Sequence, residues 1–179
     1  VHLFNYATSF LEAAYEGGTS RFNHLLWLYN ENTGTIRLGG NGGQSELAGN
    51  FGTLTINDNI GGTFAFHHFT QLFDAAPIDI SLPSGTIHLE NSTFQGGYGE
   101  WEIPRMTSGD GNVFDVDFRL VVQGDLTSNI GGTFNSGAIF QQSGTGELVV
   151  ESGTFQFMAE FINASTTGRL ISRGDQTFN

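Results

Sequence analysis

The sequence predicts an all-β protein, drawn as a single antiparallel β-barrel or jelly-roll-like sandwich with one short N-terminal helix. A right-handed β-solenoid is the second arrangement. Three observations predict it. Over residues 113–122, Phe114, Val116, Phe118, Leu120 and Val122 alternate with Asp115, Asp117, Arg119 and Val121, the two-residue period of a half-buried strand. Clusters of Gly, Asn, Asp and Ser separate nearly every apolar run, as turns punctuate a sheet. The 17 phenylalanines, with Phe64 and Phe66 on one face and Phe155, Phe157 and Phe161 on another, supply a core that needs no cysteine.

Taken in order, residues 9–16 read as the helix. Ser9 and Glu12 have capping-box spacing, Phe10, Leu11, Ala14 and Tyr15 make an apolar face, and Gly17-Gly18 ends it. Residues 21–38 read as a hairpin turning at 30–34, and 39–43 as a glycine-rich surface loop. Further strands are expected at 51–57, 63–69, 78–82, 86–91, 99–103, 133–141, 147–151, 154–162 and 169–172. The ten residues 113–122 read as one continuous strand of roughly 33 Å, which suits a barrel wall or large sandwich. With 179 residues, one domain spanning 1–179 is expected.

A short phrase recurs: Gly-Thr, then apolar, any residue, apolar. It begins at Gly34, Gly52, Gly62, Gly85 and Gly153, with a broken copy at Gly132. Residues 60–64 repeat as 130–134, and 84–86 as 152–154. One reading is duplication of a half-barrel; the other is that Gly-Thr is how turns enter strands here. The irregular spacing argues against a regular solenoid. The phrase resembles the repeats of glycine-rich adhesin passenger domains.

Charge narrows the partners. All six basic residues are arginine, against 18 acidic ones, for a formal charge of −12. No basic stripe exists to neutralise phosphates, so no nucleic-acid partner is expected, and an anionic membrane surface is disfavoured. No apolar run reaches the roughly 20 residues of a transmembrane helix. The chain starts with Val rather than Met, which suggests a processed or trimmed product. Richness in Gly, Thr, Ser and Asn points to an extracellular or cell-surface protein.

Several groups of residues could carry chemistry. His67, His68, His88 and Glu90 are the types that hold a divalent transition metal, and His88 and Glu90 share a strand face. Residues 83–88 resemble the Pro-x-Gly-x-x-His half of the second cupin motif, although the paired histidines of the first motif are here adjacent. Glu100 and Glu102 flank Trp101, with Tyr98 just before: a carboxylate pair beside sugar-stacking rings, to which Trp27 is added. Asp110, Asn112, Asp115 and Asp117 are oxygen ligands crowded enough for calcium. Asn91 and Asn163 begin glycosylation sequons, and Arg173-Gly174-Asp175 spells an integrin-recognition tripeptide. No Gly-x-Ser-x-Gly elbow, cysteine or phosphate-cradling loop supports a catalytic assignment.

The expected function is therefore a non-enzymatic surface module in adhesion, matrix or fibre assembly, or carbohydrate recognition, with self-association as a further possibility. The alternative is a small β-barrel whose Phe-lined cavity binds an apolar ligand, as a carrier or as a cyclase or isomerase using His67, His68, His88 or Glu90.

Overall fold

The computed structural model describes residues 1–6, 8, 10–14, 16–49, 52–58, 61–109 and 111–179. Among these residues, short strands coil into eight stacked rungs. The first three rungs carry β1 (His2–Asn5), β2 (Phe10–Ala13) and β3 (Thr19–Phe22); β4 (Leu26–Asn30), β5 (Thr35–Leu38) and β6 (Gln44–Leu47); and β7 (Leu54–Asp58), β8 (Thr63–His67) and β9 (Phe69–Gln71). Rungs four and five carry β10 (Ile80–Ser81), β11 (Thr86–Glu90) and β12 (Thr93–Phe94), then β13 (Gly99–Ile103), β14 (Arg105–Ser108) and β15 (Val113–Phe114). Rungs six and seven pair one short and one long, irregular strand: β16 (Phe118–Val122) with β17 (Ser128–Phe134), and β18 (Ala138–Gln142) with β19 (Glu147–Phe155). The eighth has β20 (Ala159–Asn163), β21 (Arg169–Ser172) and β22 (Gln176–Phe178).

Three faces result. The first holds β1, β4 and β7, then β10, β13, β16, β18 and β20. The second runs β2, β5, β8, β11, β14 and continues into the N-terminal halves of β17 and β19 and into β21. The third runs β3, β6, β9, β12, β15, the C-terminal halves of β17 and β19, and β22. Every ladder between these strands is parallel.

The protein is thus a parallel β-solenoid, and the antiparallel barrel or jelly-roll sandwich is overturned. The alternation over 113–122 correctly separates inward from outward side chains. It carries no information on the direction of the neighbouring strand. Nor is that stretch one strand: it turns a corner between β15 and β16, where Asp115 accepts hydrogen bonds from Gln95 and Asn135 (3.1 and 2.6 Å), and Asp117 accepts from the Gly137 N–H (2.9 Å) and the Ser136 hydroxyl.

The expected helix is strand β2, which pairs in parallel with β5. Ser9 and Tyr15, which framed it, lie outside the described residues. About two helical turns cannot stand alone, whereas the same residues gain a full ladder on β5. The expected hairpin is also absent. β4 and β5 lie on different faces, joined by a corner that the Asn30 amide closes on the Gly34 carbonyl (2.7 Å).

In-register parallel stacking sets like over like. On the third face Phe22, Leu47, Gln71, Phe94, Phe114, Phe134, Phe155 and Phe178 form one column. From Phe94 onward its rings lie 5.1, 4.9, 5.1 and 5.1 Å apart and within 15° of parallel. That spacing is close to the strand separation of a sheet, so the ladder geometry itself stacks the rings. These buried rings pack on one another along the stack, and the barrel that was to enclose a Phe-lined cavity is overturned with the antiparallel fold. Outside, the same register places arginine against glutamate on adjacent rungs: Arg21 by Glu46, Arg37 by Glu12, Arg119 by Glu100 and Arg169 by Glu147. Each exposed pair contributes at most about 1 kcal/mol.

Candidate functional site

Among the described residues, two places on this scaffold gather candidate side chains for function. The first is on the second face. His67 ends β8 and Glu90 ends β11, and the two are register partners. His88 points the same way two residues before Glu90. Ligand atoms of His67, His88 and Glu90 all lie within 4.8 Å of one another. His67 Nδ1 is 3.2 Å from Glu90 Oε2, His88 Nδ1 is 2.8 Å from Thr107 Oγ1, and the two imidazole centroids are 5.0 Å apart.

The chain leaves this site through two matching corners. His68 (φ +50°) and Asn91 (φ +48°) both take the left-handed conformation directly after His67 and Glu90, and His and Asn are among the residues that tolerate it. The buried Ser92 hydroxyl lies 3.0 Å from both the Phe66 and Glu90 carbonyls and pins the corner. His68 therefore shapes the turn, its N–H donating to the Glu90 carbonyl (3.0 Å), and stands outside the three-residue cluster. The sequence joined four residues; the structure brings three together.

Burial favours the neutral form of both rings. The His67 pKa is lowered from 6.5 to about 4, by burial first, then by His88, with Arg37 and His68 adding and Glu90 opposing. His88 is lowered by burial and by Arg37, against Glu90 and the bond to Thr107. Between pH 6.5 and 4 the unfolded chain binds the proton that folded His67 refuses. Stability is therefore present above pH 6.5 and falls as pH drops through that window. Denaturation at stepped pH should show a decline of order 1–3 kcal/mol that is smaller in His67→Gln. Equal slopes for the two chains would contradict this reading of the ring.

The second place is a groove of about 410 Å³ along the corners from the third face to the first, bordered by Phe73, Gln95, Tyr98, Asp115, Asp117 and Ser136. Phe73 is 87% exposed and Tyr98 45% exposed. Tyr98 belongs to the set expected from sequence. Phe73 was missed, and its available signal was an aromatic ring outside any alternation, followed by Asp74 and the loop up to Pro77.

The remaining candidates separate. Trp101 is 1% exposed and its indole N–H donates to the Ile78 carbonyl (2.8 Å), so it offers no face to a sugar. The period that sets Glu100 and Glu102 together outside sends the residue between them inside. Both carboxylates line a shallow pocket with Asp79 and Ser81, and Glu100 is paired to Arg119. Trp27 is half-buried in an outer patch with His2, Phe4 and Tyr29.

Of the calcium candidates, Asp110 lies outside the described residues and Asn112 is buried at a corner, bonded to Ser92, Ser108 and Gly109. Asp115 and Asp117 lie past β15 at the next corner, hydrogen-bonded as described. The half-cupin likeness at 83–88 leads into a strand of a parallel sheet rather than a cupin barrel. Asn91 is exposed at its corner. Arg173, Gly174 and Asp175 are exposed on the last rung, where the Asp175 N–H donates to Ser152 Oγ (3.1 Å).

No helix among the described residues is long and apolar enough to cross a membrane. Compared with known proteins, the chain matches no protein-family model, no curated protein and no solved structure.

Proposed function

We propose that this solenoid is a non-enzymatic, extracellular or cell-surface module that recognises carbohydrate through the Phe73–Tyr98 groove. The observation that carries it is Phe73 itself. A ring left 87% in water adds almost nothing to the fold, yet it borders a groove with a second exposed ring and four polar side chains. Aromatic faces beside carboxylates and amides are what a pyranose needs, with apolar C–H faces for the rings and hydroxyls for Gln95, Asp115, Asp117 and Ser136. The groove follows the stacking direction from rung to rung, which suits an extended glycan chain or a glycosylated partner surface, as adhesion or matrix attachment would require.

Screening on a glycan array, followed by titration of the best ligand, tests this. Phe73→Ala and Tyr98→Ala should each weaken binding about tenfold while leaving the unfolding midpoint unchanged, because neither ring is in the core. Full binding by the double variant would rule the groove out.

A further inference from the structure

We infer that His67, His88 and Glu90 form a binding site for one divalent zinc-class ion, bridging rungs three and four of the solenoid. This site is separate from the glycan groove and shares no residue with it. Two imidazole nitrogens and one carboxylate oxygen are a ligand set that zinc accepts with a fourth position left to water, and that hard oxygen-seeking ions such as calcium disfavour. Tetrahedral zinc with bonds of about 2.0–2.1 Å requires ligand atoms roughly 3.4 Å apart. The present separations, none above 4.8 Å, need only a modest closing movement of the side chains. Glu90, whose side chain is 43% exposed, has the room to make the movement.

The surroundings suit a metal in three further ways. Thr107 Oγ1 sits 2.8 Å from His88 Nδ1, fixing the ring and leaving Nε2 as the ligand atom, the outer-shell arrangement that metal-bound histidines use. The backbone beneath is a parallel ladder with His67 opposite Glu90, so the ligands stand on rigid strands rather than a loop. Arg37, whose charge reaches both rings, is itself paired with Glu12 at 2.9 Å, which partly offsets its repulsion of a bound cation. Because the ion joins two rungs, binding also resists their separation, which makes the effect visible in stability.

The test is titration of chelator-treated protein with zinc sulfate, followed by calorimetry and by thermal unfolding. The expected result is one ion per chain and a raised midpoint. His67→Gln and His88→Gln should each weaken binding at least 100-fold, and Glu90→Gln about tenfold or more. His68→Asn, which keeps a residue tolerant of the left-handed corner, should bind as the parent does. Circular dichroism of each variant reports whether the sheet is retained. Binding that survives in folded His67→Gln and His88→Gln, or no binding by the parent chain, overturns the assignment. Glycan titration with and without zinc separates the two proposals: loss of one activity leaves the other intact.

Discussion

Replacing Phe134 with alanine is expected to cost about 3–5 kcal/mol, among the largest single-residue effects in this protein. Phe134 is 1% exposed and sits at the middle of the phenylalanine column, stacked on Phe114 at 4.9 Å and on Phe155 at 5.1 Å. Phe140 meets it edge-on at 5.2 Å. Truncation removes contacts to rungs on both sides at once. The parallel ladder holds the neighbouring backbones at fixed spacing, so the cavity cannot collapse. Phe178 makes the internal comparison: it occupies the same column, but it is 61% exposed and stacks on Phe155 alone. Phe178→Ala should cost about 1 kcal/mol or less. Urea unfolding with native-state hydrogen exchange reads both, with the loss of protection in Phe134→Ala centred on rungs five to seven. A cost below about 1 kcal/mol for Phe134→Ala would mean the rings do not stack as described.

Gly144→Ala is expected to destabilise by about 3 kcal/mol or more, for the opposite reason. Successive corners between the first and second faces stack backbone directly on backbone. A Cβ on Gly124 would lie 2.1 Å from the Pro104 carbonyl oxygen, and one on Gly144 or Gly168 would lie 2.2 Å from the carbonyl oxygen of Gly124 or Gly144, respectively. Those oxygens belong to the corner below and cannot rotate away. A methyl group at Gly144 must push whole rungs apart. Gly99→Ala is the control: its new Cβ would meet atoms no closer than 3.4 Å, ordinary contact, and the cost should stay under about 1 kcal/mol. Thermal unfolding of the two variants distinguishes close stacking from general intolerance of side chains at glycine.

Both effects trace to a pattern present in the sequence but hidden by a more conspicuous one. The Gly-Thr phrase falls on all three faces: Thr53 precedes β7 on the first, Thr63 and Thr86 are register partners on the second, and Thr133 and Thr154 pair late in β17 and β19 on the third. Its irregular spacing therefore mixes three columns with loops of unequal length. Phe94, Phe114, Phe134, Phe155 and Phe178 recur at 20, 20, 21 and 23 residues, the real rung period, and would have favoured the solenoid. Earlier rungs blur it, because Leu47 and Gln71 occupy the same column.

The candidate sites divide similarly. That His88 and Glu90 share a face follows from their separation of two. That His67 faces Glu90 follows only from the register of β8 on β11, and His68 leaves the cluster because a corner falls immediately after His67. The same two-residue rule, applied to Trp101 between Glu100 and Glu102, already implied that the indole turns inward. Phe73 was invisible because exposure of a loop residue depends on what other loops cover it.

By itself, the sequence determined that the chain is all-β, that apolar and polar residues alternate along much of it, that glycine and asparagine mark many of its turns, and that its net charge is negative, although Phe157 and Phe161, read as core, lie 66% and 37% exposed and several expected strands break at corners. Those properties are local, written in the period of two and in the conformational preferences of glycine and asparagine. Only the tertiary structure decided that strands pair in parallel with the next rung, which rings stack, and which distant side chains meet. Backbone hydrogen bonds can be completed in either direction, the parallel ladder being only slightly weaker per residue, so the choice rests on how the whole stack closes its core.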